Sequence, residues 1–246
     1  MGVLGIVQAR LSSTRLPGKV LLELGGKSVL ERVLSCARAY CDELVVATSS
    51  DGSDDAVQAE CRRLDVPCVR GSLSDVFSRF VQVLALPQYR QSEWFYRITA
   101  DCPLQSRVLG RELFSARSDD CDYLYFADDE LPRGVAPELV RRAAFESVDP
   151  AELTADERQH VTLPFYRAGS RYRARKLAVP ADFAHPELRL TLDYAEDAAL
   201  FDALFAVDPH MTSEQAVRHL LANPALAALN RHQRTSAPAL LQGGAP

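Results

Sequence analysis

The chain has 246 residues, of which 47% are apolar and 25% charged, and its formal net charge is −5. That size suits one large α/β domain or one domain with a small appendage. The acidic balance argues against a nucleic-acid coat, although local basic patches stay open. No apolar run approaches the ~20 residues of a membrane span, and the N-terminus enters a strand at once without a secretory signal pattern, so the expected setting is cytoplasmic, with no membrane partner.

Val3–Val7 reads as a buried strand. It runs directly into Gln8, Arg10, Ser12, Ser13, Thr14, Arg15, Gly18 and Lys19. In open α/β sheets ligands bind at the carboxyl ends of strands. A loop there that offers cations, hydroxyls and free backbone N–H groups can cradle a polyphosphate. The loop matches neither the GxGxxG dinucleotide fingerprint nor the P-loop, and Gly25-Gly26 reads as a simple turn. Helical spacing follows over Val29–Tyr40, then a strand at Leu44–Thr48, a helix over Asp54–Leu64 and a short strand at Cys68–Val69. Asp75–Leu86 is helical, and Trp94–Thr99 is a strand that ends in Ala-Asp-Cys-Pro. This β-α-β-α alternation predicts a mostly parallel sheet with helices on both faces. After Asp122–Phe126 the regularity weakens. Residues 127–188, with a strand at Tyr172–Val179, read as an insertion or lid over the sheet edge. A strand at Leu188–Leu192 leads to Asp193, and helices follow at Ala195–Ala206 and about Ser213–Ala222. The predicted organisation is a single domain over 1–222, with a tail over 223–246 that frays.

The six cysteines show no CxxC pair, and the five histidines form no HxH or HxxxH pattern. Reduced thiols and no transition-metal site are therefore expected. Two acidic positions sit at predicted strand ends, Asp101 and Asp193. Either alone reads as a turn or helix cap. Together, opposite a basic first loop, they read as the hard oxygen ligands that Mg²⁺ takes beside phosphate oxygens and water. Arg97, Arg133, Arg189 and His160 are candidates for holding an anionic acceptor, although Arg97 could equally form an ion pair within its strand and His160 could cap a helix. The basic run Arg171–Lys176 reads as a solvated strand edge. Phe114, Tyr123, Tyr125 and Phe126 read as packing residues.

The segments QARLSSTRLPGKVL (8–21), RGSLSDVFSRF (70–80), RITADCPL (97–104), PRG (132–134), HVT (160–162) and RLTLDYAED (189–197) resemble, in order, the cytidylyltransferases of the spore-coat polysaccharide type. Those are relatives of the acylneuraminate and Kdo enzymes. The resemblance implies a Rossmann-like nucleotidyltransferase fold with a small insertion or dimerisation arm, hence a homodimer. It also implies CTP and Mg²⁺ as reactants and transfer of CMP to an acidic acceptor with release of pyrophosphate. By position it implies Arg10 and Lys19 as triphosphate cations, and Gln8, Ala9 and Ser13 as loop contacts to nucleotide. Arg70 is implied beside base or ribose, and Asp101 and Asp193 as the metal pair. The acceptor segments depart from the common pattern. Ala136 stands where relatives often carry Asp, and Gln159 where they often carry Glu. Two other readings stay open: a nucleotide-sugar-dependent glycosyltransferase and a non-catalytic nucleotide-binding protein of the same fold.

Overall fold

The computed structural model describes residues 2–233. Its centre is a seven-stranded sheet in the order β5-β4-β1-β6-β8-β7-β9. The strands are β1 (Leu4–Gln8), β4 (Glu43–Ser49), β5 (Cys68–Gly71), β6 (Trp94–Thr99), β7 (Tyr123–Tyr125), β8 (Glu138–Arg141) and β9 (Ala174–Lys176), while β2 (Glu23–Leu24) and β3 (Lys27–Ser28) form a separate hairpin. β5, β4, β1 and β6 are mutually parallel, as the alternation predicts. Residue alternation puts Val3 and Val7 on one face and Leu4 and Ile6 on the other, and both sets are buried. That fits parallel strands covered by helices on both sides.

The first face is covered by α1 (Val29–Ala37), α2 (Asp55–Arg63), α4 (Arg107–Ser115), α8 (Ala195–Val207) and α9 (Ser213–Ala222). The second is covered by α3 (Val76–Leu84), α5 (Arg142–Glu146) and α7 (Leu163–Tyr166), with α6 (Ala155–Gln159) packed beside α3. Aromatic rings hold this second face together. Phe145 stacks on Phe77 at 4.3 Å between centroids and meets Phe95 edge-on at 5.2 Å, the arrangements that ring quadrupoles favour. Gly25 and Gly26 both have positive φ, which the tight β2–β3 turn requires.

Three expectations change. Residues 127–188 do not lie over the sheet edge as a separate arm. They supply β8, inserted antiparallel between β6 and β7, and β9, parallel to β7. Buried Leu139 and Val140 explain why β8 joins the core. Residues 188–192 are extended but form no regular strand. Their one bridge is Arg133 with Arg189, because the neighbouring 132–135 segment is too short for a ladder. The stretch from Asn223 does not simply fray, since Pro224–Ala227 forms α10 and Asn230 is buried; residues 234–246 lie outside those described. All six cysteines are free thiols. β9 sits at the sheet edge with Arg173 and Arg175 paired to Asp122 and Asp120, as expected of a solvated edge. Among the described residues no helix is long and apolar enough to cross a membrane.

Candidate active site

The first loop is built on β1. Just beyond the strand, the Ala9 N–H donates to the Ala47 carbonyl. Within the loop, the Ser13 and Gly18 N–H groups both donate to the Leu11 carbonyl. Gly18 adopts a left-handed conformation (φ 73°) that starts the turn Lys19–Leu21. A carboxylate distant in sequence anchors the loop. Buried Asp54 accepts from the Leu11 N–H at 2.7 Å, and from the Ser49 N–H and hydroxyl. The loop is thereby clamped to the end of β4.

This geometry projects Lys19 between the two predicted carboxylates. Its ammonium lies 2.7 Å from Asp101 Oδ2 and 2.9 Å from Asp193 Oδ1. Asp101 follows β6, the neighbour of β1. Asp193 arrives by another route: the Leu190 N–H donates to the Arg133 carbonyl and the Leu192 N–H to the Asp101 carbonyl, both at 2.8 Å. Backbone bonds outside the sheet thus bring the second carboxylate to the first. Burial pushes the Asp101 and Asp193 carboxyls up, but the Lys19 charge and hydrogen bonds outweigh it and hold both below the ordinary range. Burial likewise lowers Lys19, and the two carboxylates more than offset that, so its ammonium titrates above the usual lysine value.

A supporting layer surrounds Asp193. Arg15 contacts its Oδ1 at 2.9 Å and Arg189 its Oδ2 at 2.7 Å. Arg189 also binds Asp197 Oδ1 through Nε at 2.9 Å. Asp197, wholly buried, accepts from the Asp193 and Tyr194 N–H groups, so it caps α8 and fixes the Asp193 backbone together. Asn230 donates to the Arg189 carbonyl and to Asp197 Oδ1. Arg189, read from sequence as an acceptor contact, therefore faces inward and positions the carboxylates.

A second polar group lies on the sheet face covered by α3, α5 and α7. Arg97 donates through Nε to Gln8 Oε1 at 3.0 Å and through Nη1 to Glu138 Oε2 at 2.6 Å. Glu138, directly opposite on β8, also accepts from the Tyr123 and Thr162 hydroxyls. His160 lies within the field of Arg97 and Glu138. Burial and then the Arg97 charge push it below the ordinary histidine value, so it is an uncharged imidazole at neutral pH. Arg133 has the looser contact, 3.6 Å from Asp128.

The remaining predicted nucleotide contacts are dispersed. Ser13 stays within the loop, its hydroxyl accepting from the Leu16 N–H. Arg70 is engaged with the 49–58 turn, donating to the Ser49 and Asp51 carbonyls and pairing with Asp55. Arg10 lines a cavity of about 440 Å³ with Ser12, Leu73, Ser74, Asp75, Ala155, Arg158 and Gln159. A larger depression of about 620 Å³, between α4 and residues 177–178, shares none of these residues. Sequence reading took Arg15 only as one of the first loop's cations and gave no role to Asp54, Glu138, Asp197 or Asn230. The capping position of Asp197, four residues past Asp193, was the one local signal available.

The parallel half-sheet, the basic loop at the end of its first strand and the facing carboxylates define a nucleotidyltransferase fold. A sequence profile described as "Cytidylyltransferase" matches residues 4–215, and the chain belongs to that family. It is 32% identical over 233 residues to the spore coat polysaccharide biosynthesis protein SpsF of Bacillus subtilis (strain 168), covering 90% of this chain and 95% of that protein. The structure of a cytidylyltransferase from Leptospira borgpetersenii serovar Hardjo-bovis superimposes with a TM-score of 0.80 at 21% identity, over 96% of this chain and 100% of the other. CMP:2-keto-3-deoxy-manno-octonic acid synthetase, complexed with CTP, shares the fold at a TM-score of 0.55 and 18% identity, over 85% and 100% of the chains.

Proposed function

We propose that the protein transfers CMP from CTP to a small acidic acceptor, a sugar acid or a phosphonate, and releases pyrophosphate with the help of Mg²⁺. The observation that carries this reading is the Lys19 ammonium held between Asp101 and Asp193 at the end of the first loop. One cation already bridges both carboxylates, so the pair is spaced to share a positive ion. Among the described residues no cluster of three or more His, Cys, Asp or Glu could hold a metal. Two carboxylates suit Mg²⁺, which keeps phosphate oxygens and waters among its ligands. When bound there, such an ion supplies charge to the α-phosphate and lowers the pKa of an acceptor oxygen.

The protein's own part is positioning and charge. Lys19, once released from the carboxylates, can turn to the phosphate oxygens together with Arg10, where fixed cations stabilise charge that moves to the departing pyrophosphate. The acceptor meets the Arg97–Glu138–Tyr123 group and the more loosely held Arg133. The name of the SpsF relative and the CTP-bound synthetase of like fold support a sugar-derived acceptor.

The test is pyrophosphate release from CTP with Mg²⁺ across a panel of sugar acids and phosphonates. Release is expected with at least one member, and Lys19→Met and Asp193→Asn should each lower turnover roughly a hundredfold or more, the scale of one lost preorganised charge contact. No release with any acceptor, or both variants near wild type, overturns the reading.

A further inference from the structure

The protein balances the charge of its own carboxylate pair. Asp101, Asp193 and Asp197 face Lys19, Arg15 and Arg189. The three cations differ in what holds them. Arg189 is 6% exposed and tied to Asp197 as well as Asp193, so it belongs to the scaffold. Lys19 and Arg15 both come from the first loop, and both contact Asp193 Oδ1, at 2.9 Å each. Lys19 also takes Asp101 Oδ2 at 2.7 Å. The Arg15 side chain is still 36% exposed. Its guanidinium lies 5.1 Å from the centroid of the Tyr194 ring and donates to the Tyr194 hydroxyl at 3.3 Å.

The oxygens that the pair could turn toward a shared ion are therefore engaged by side chains of the first loop. A divalent cation that approaches alone meets a locally neutral cluster, so no net charge draws it in. It would also have to displace the Lys19 ammonium, whose side chain is only 11% exposed. Leaving a buried cation without a partner is expensive. A polyphosphate changes both conditions. It offers Lys19 and Arg15 new charge-assisted hydrogen bonds to phosphate oxygens. It also leaves Asp101 and Asp193 with less compensated negative charge.

We propose that Lys19 and Arg15 are a built-in counter-ion that closes the acidic pair to a bare divalent cation until a polyphosphate draws them away. Loading of the two ligands is then cooperative, and by linkage each raises the affinity for the other by the same factor. The contact is an autoinhibitory device: the free enzyme holds its carboxylates in reserve, and the nucleotide opens them. The proposal concerns the order of loading and rests on the CTP- and Mg²⁺-dependent reading given above.

Water-proton relaxation with Mn²⁺ as the probe tests it, because the method separates free ion, the ion–CTP complex and ion held on the protein. Wild type alone should hold Mn²⁺ weakly, and CTP should tighten the protein-held ion roughly ten- to a hundredfold. Lys19→Met should bind Mn²⁺ without nucleotide roughly ten- to a hundredfold more tightly than wild type, the scale of the charge-assisted contacts removed. Arg15→Gln, at the exposed edge, should gain about two- to fivefold. Adding Asp193→Asn to Lys19→Met should abolish the gain, as expected if the ion enters the pair. A merely structural role for Lys19 would not raise affinity for the bare ion in a variant that has lost turnover. Thermal unfolding identifies the folded variants, and either one alone decides. Wild type that binds Mn²⁺ as tightly without CTP as with it, or folded variants no tighter than wild type, overturn the counter-ion role and leave the CTP reading standing. No protein-held ion even with CTP overturns both.

Discussion

The two halves of the crevice treat charge in opposite ways. On the donor side, Lys19 lies between two carboxylates while Arg10 lines the cavity without a carboxylate hydrogen bond. On the acceptor side, Arg97 is paired with Glu138 and Arg133 with Asp128. On the proposed function, the donor half is the one that receives a polyanion. The acceptor half is internally neutral, so a ligand there must compete with, or add to, an existing network. On the proposed function, recognition of the donor would rest on fixed charge and recognition of the acceptor on hydrogen-bond geometry.

The largest expected effect concerns what holds the donor half rigid. Asp197→Ala breaks the buried Arg189–Asp197 pair, leaving Arg189 its contact to Asp193, and removes two backbone caps. Breaking a buried pair in this way costs about 3–5 kcal/mol, so chemical denaturation should show a loss of that order. A loss below 1 kcal/mol would mean that the carboxylate pair stands without this scaffold. Next comes the separation of the halves. Glu138→Gln weakens the contact to Arg97 while keeping the acceptor oxygen for Tyr123 and Thr162. It should raise the acceptor KM about tenfold, the scale of one charge-assisted bond, with the CTP KM nearly unmoved. Equal changes in both constants would erase the distinction between the halves.

The smallest effect is in pH. The Asp101 and Asp193 carboxyls sit below their ordinary 3.8, so their contribution to stability is present above that value and lost as pH falls through the lower folded ones. Lys19 sits above its ordinary 10.5, so its contribution is present below that value and lost as pH rises through the higher folded one. The donor half is therefore level around neutrality. His160 sits below its ordinary 6.5, so its contribution is present above 6.5 and fades as pH falls toward the folded value. Melting temperatures of ligand-free protein from mildly acidic to neutral pH should slope downward on the acid side, and His160→Gln should reduce that slope. An unchanged slope in the variant would locate the titration elsewhere.

How much of this was legible follows the same division. The donor loop is contiguous, so its cluster of cations over twelve residues and the strand-end Asp101 can be picked out locally, and the family resemblance singles out Arg10 and Lys19 among those cations. Asp193 was also legible, although the expected strand before it is an extended segment held by single backbone bonds. The acceptor half depends on pairing at a distance. Arg97 and Glu138 are 41 positions apart, and they meet because β8 enters the sheet antiparallel. Strands of three or four residues leave too little periodicity to reveal that. Arg70 shows the opposite limit: its motif resembles a nucleotide contact, yet neighbouring carbonyls and Asp55 engage its guanidinium. Arg79 sits inside the same motif, and only the fold shows it buried with its Nε and Nη1 lacking hydrogen-bond partners.

The amide of Asn230, tied to Arg189 and Asp197, also bears on how the chain is made. Synthesis runs from the first loop to this residue, at about 5–20 residues per second. The 41 positions between Arg189 and Asn230 correspond to roughly 2–8 seconds at that pace. During that interval a nascent chain can hold its loop, sheet and both carboxylates, yet lack the last tie beneath them. Part of the site's support therefore comes from a residue made after all its motifs, and a chain that stops before Asn230 carries every motif with its second carboxylate less firmly seated.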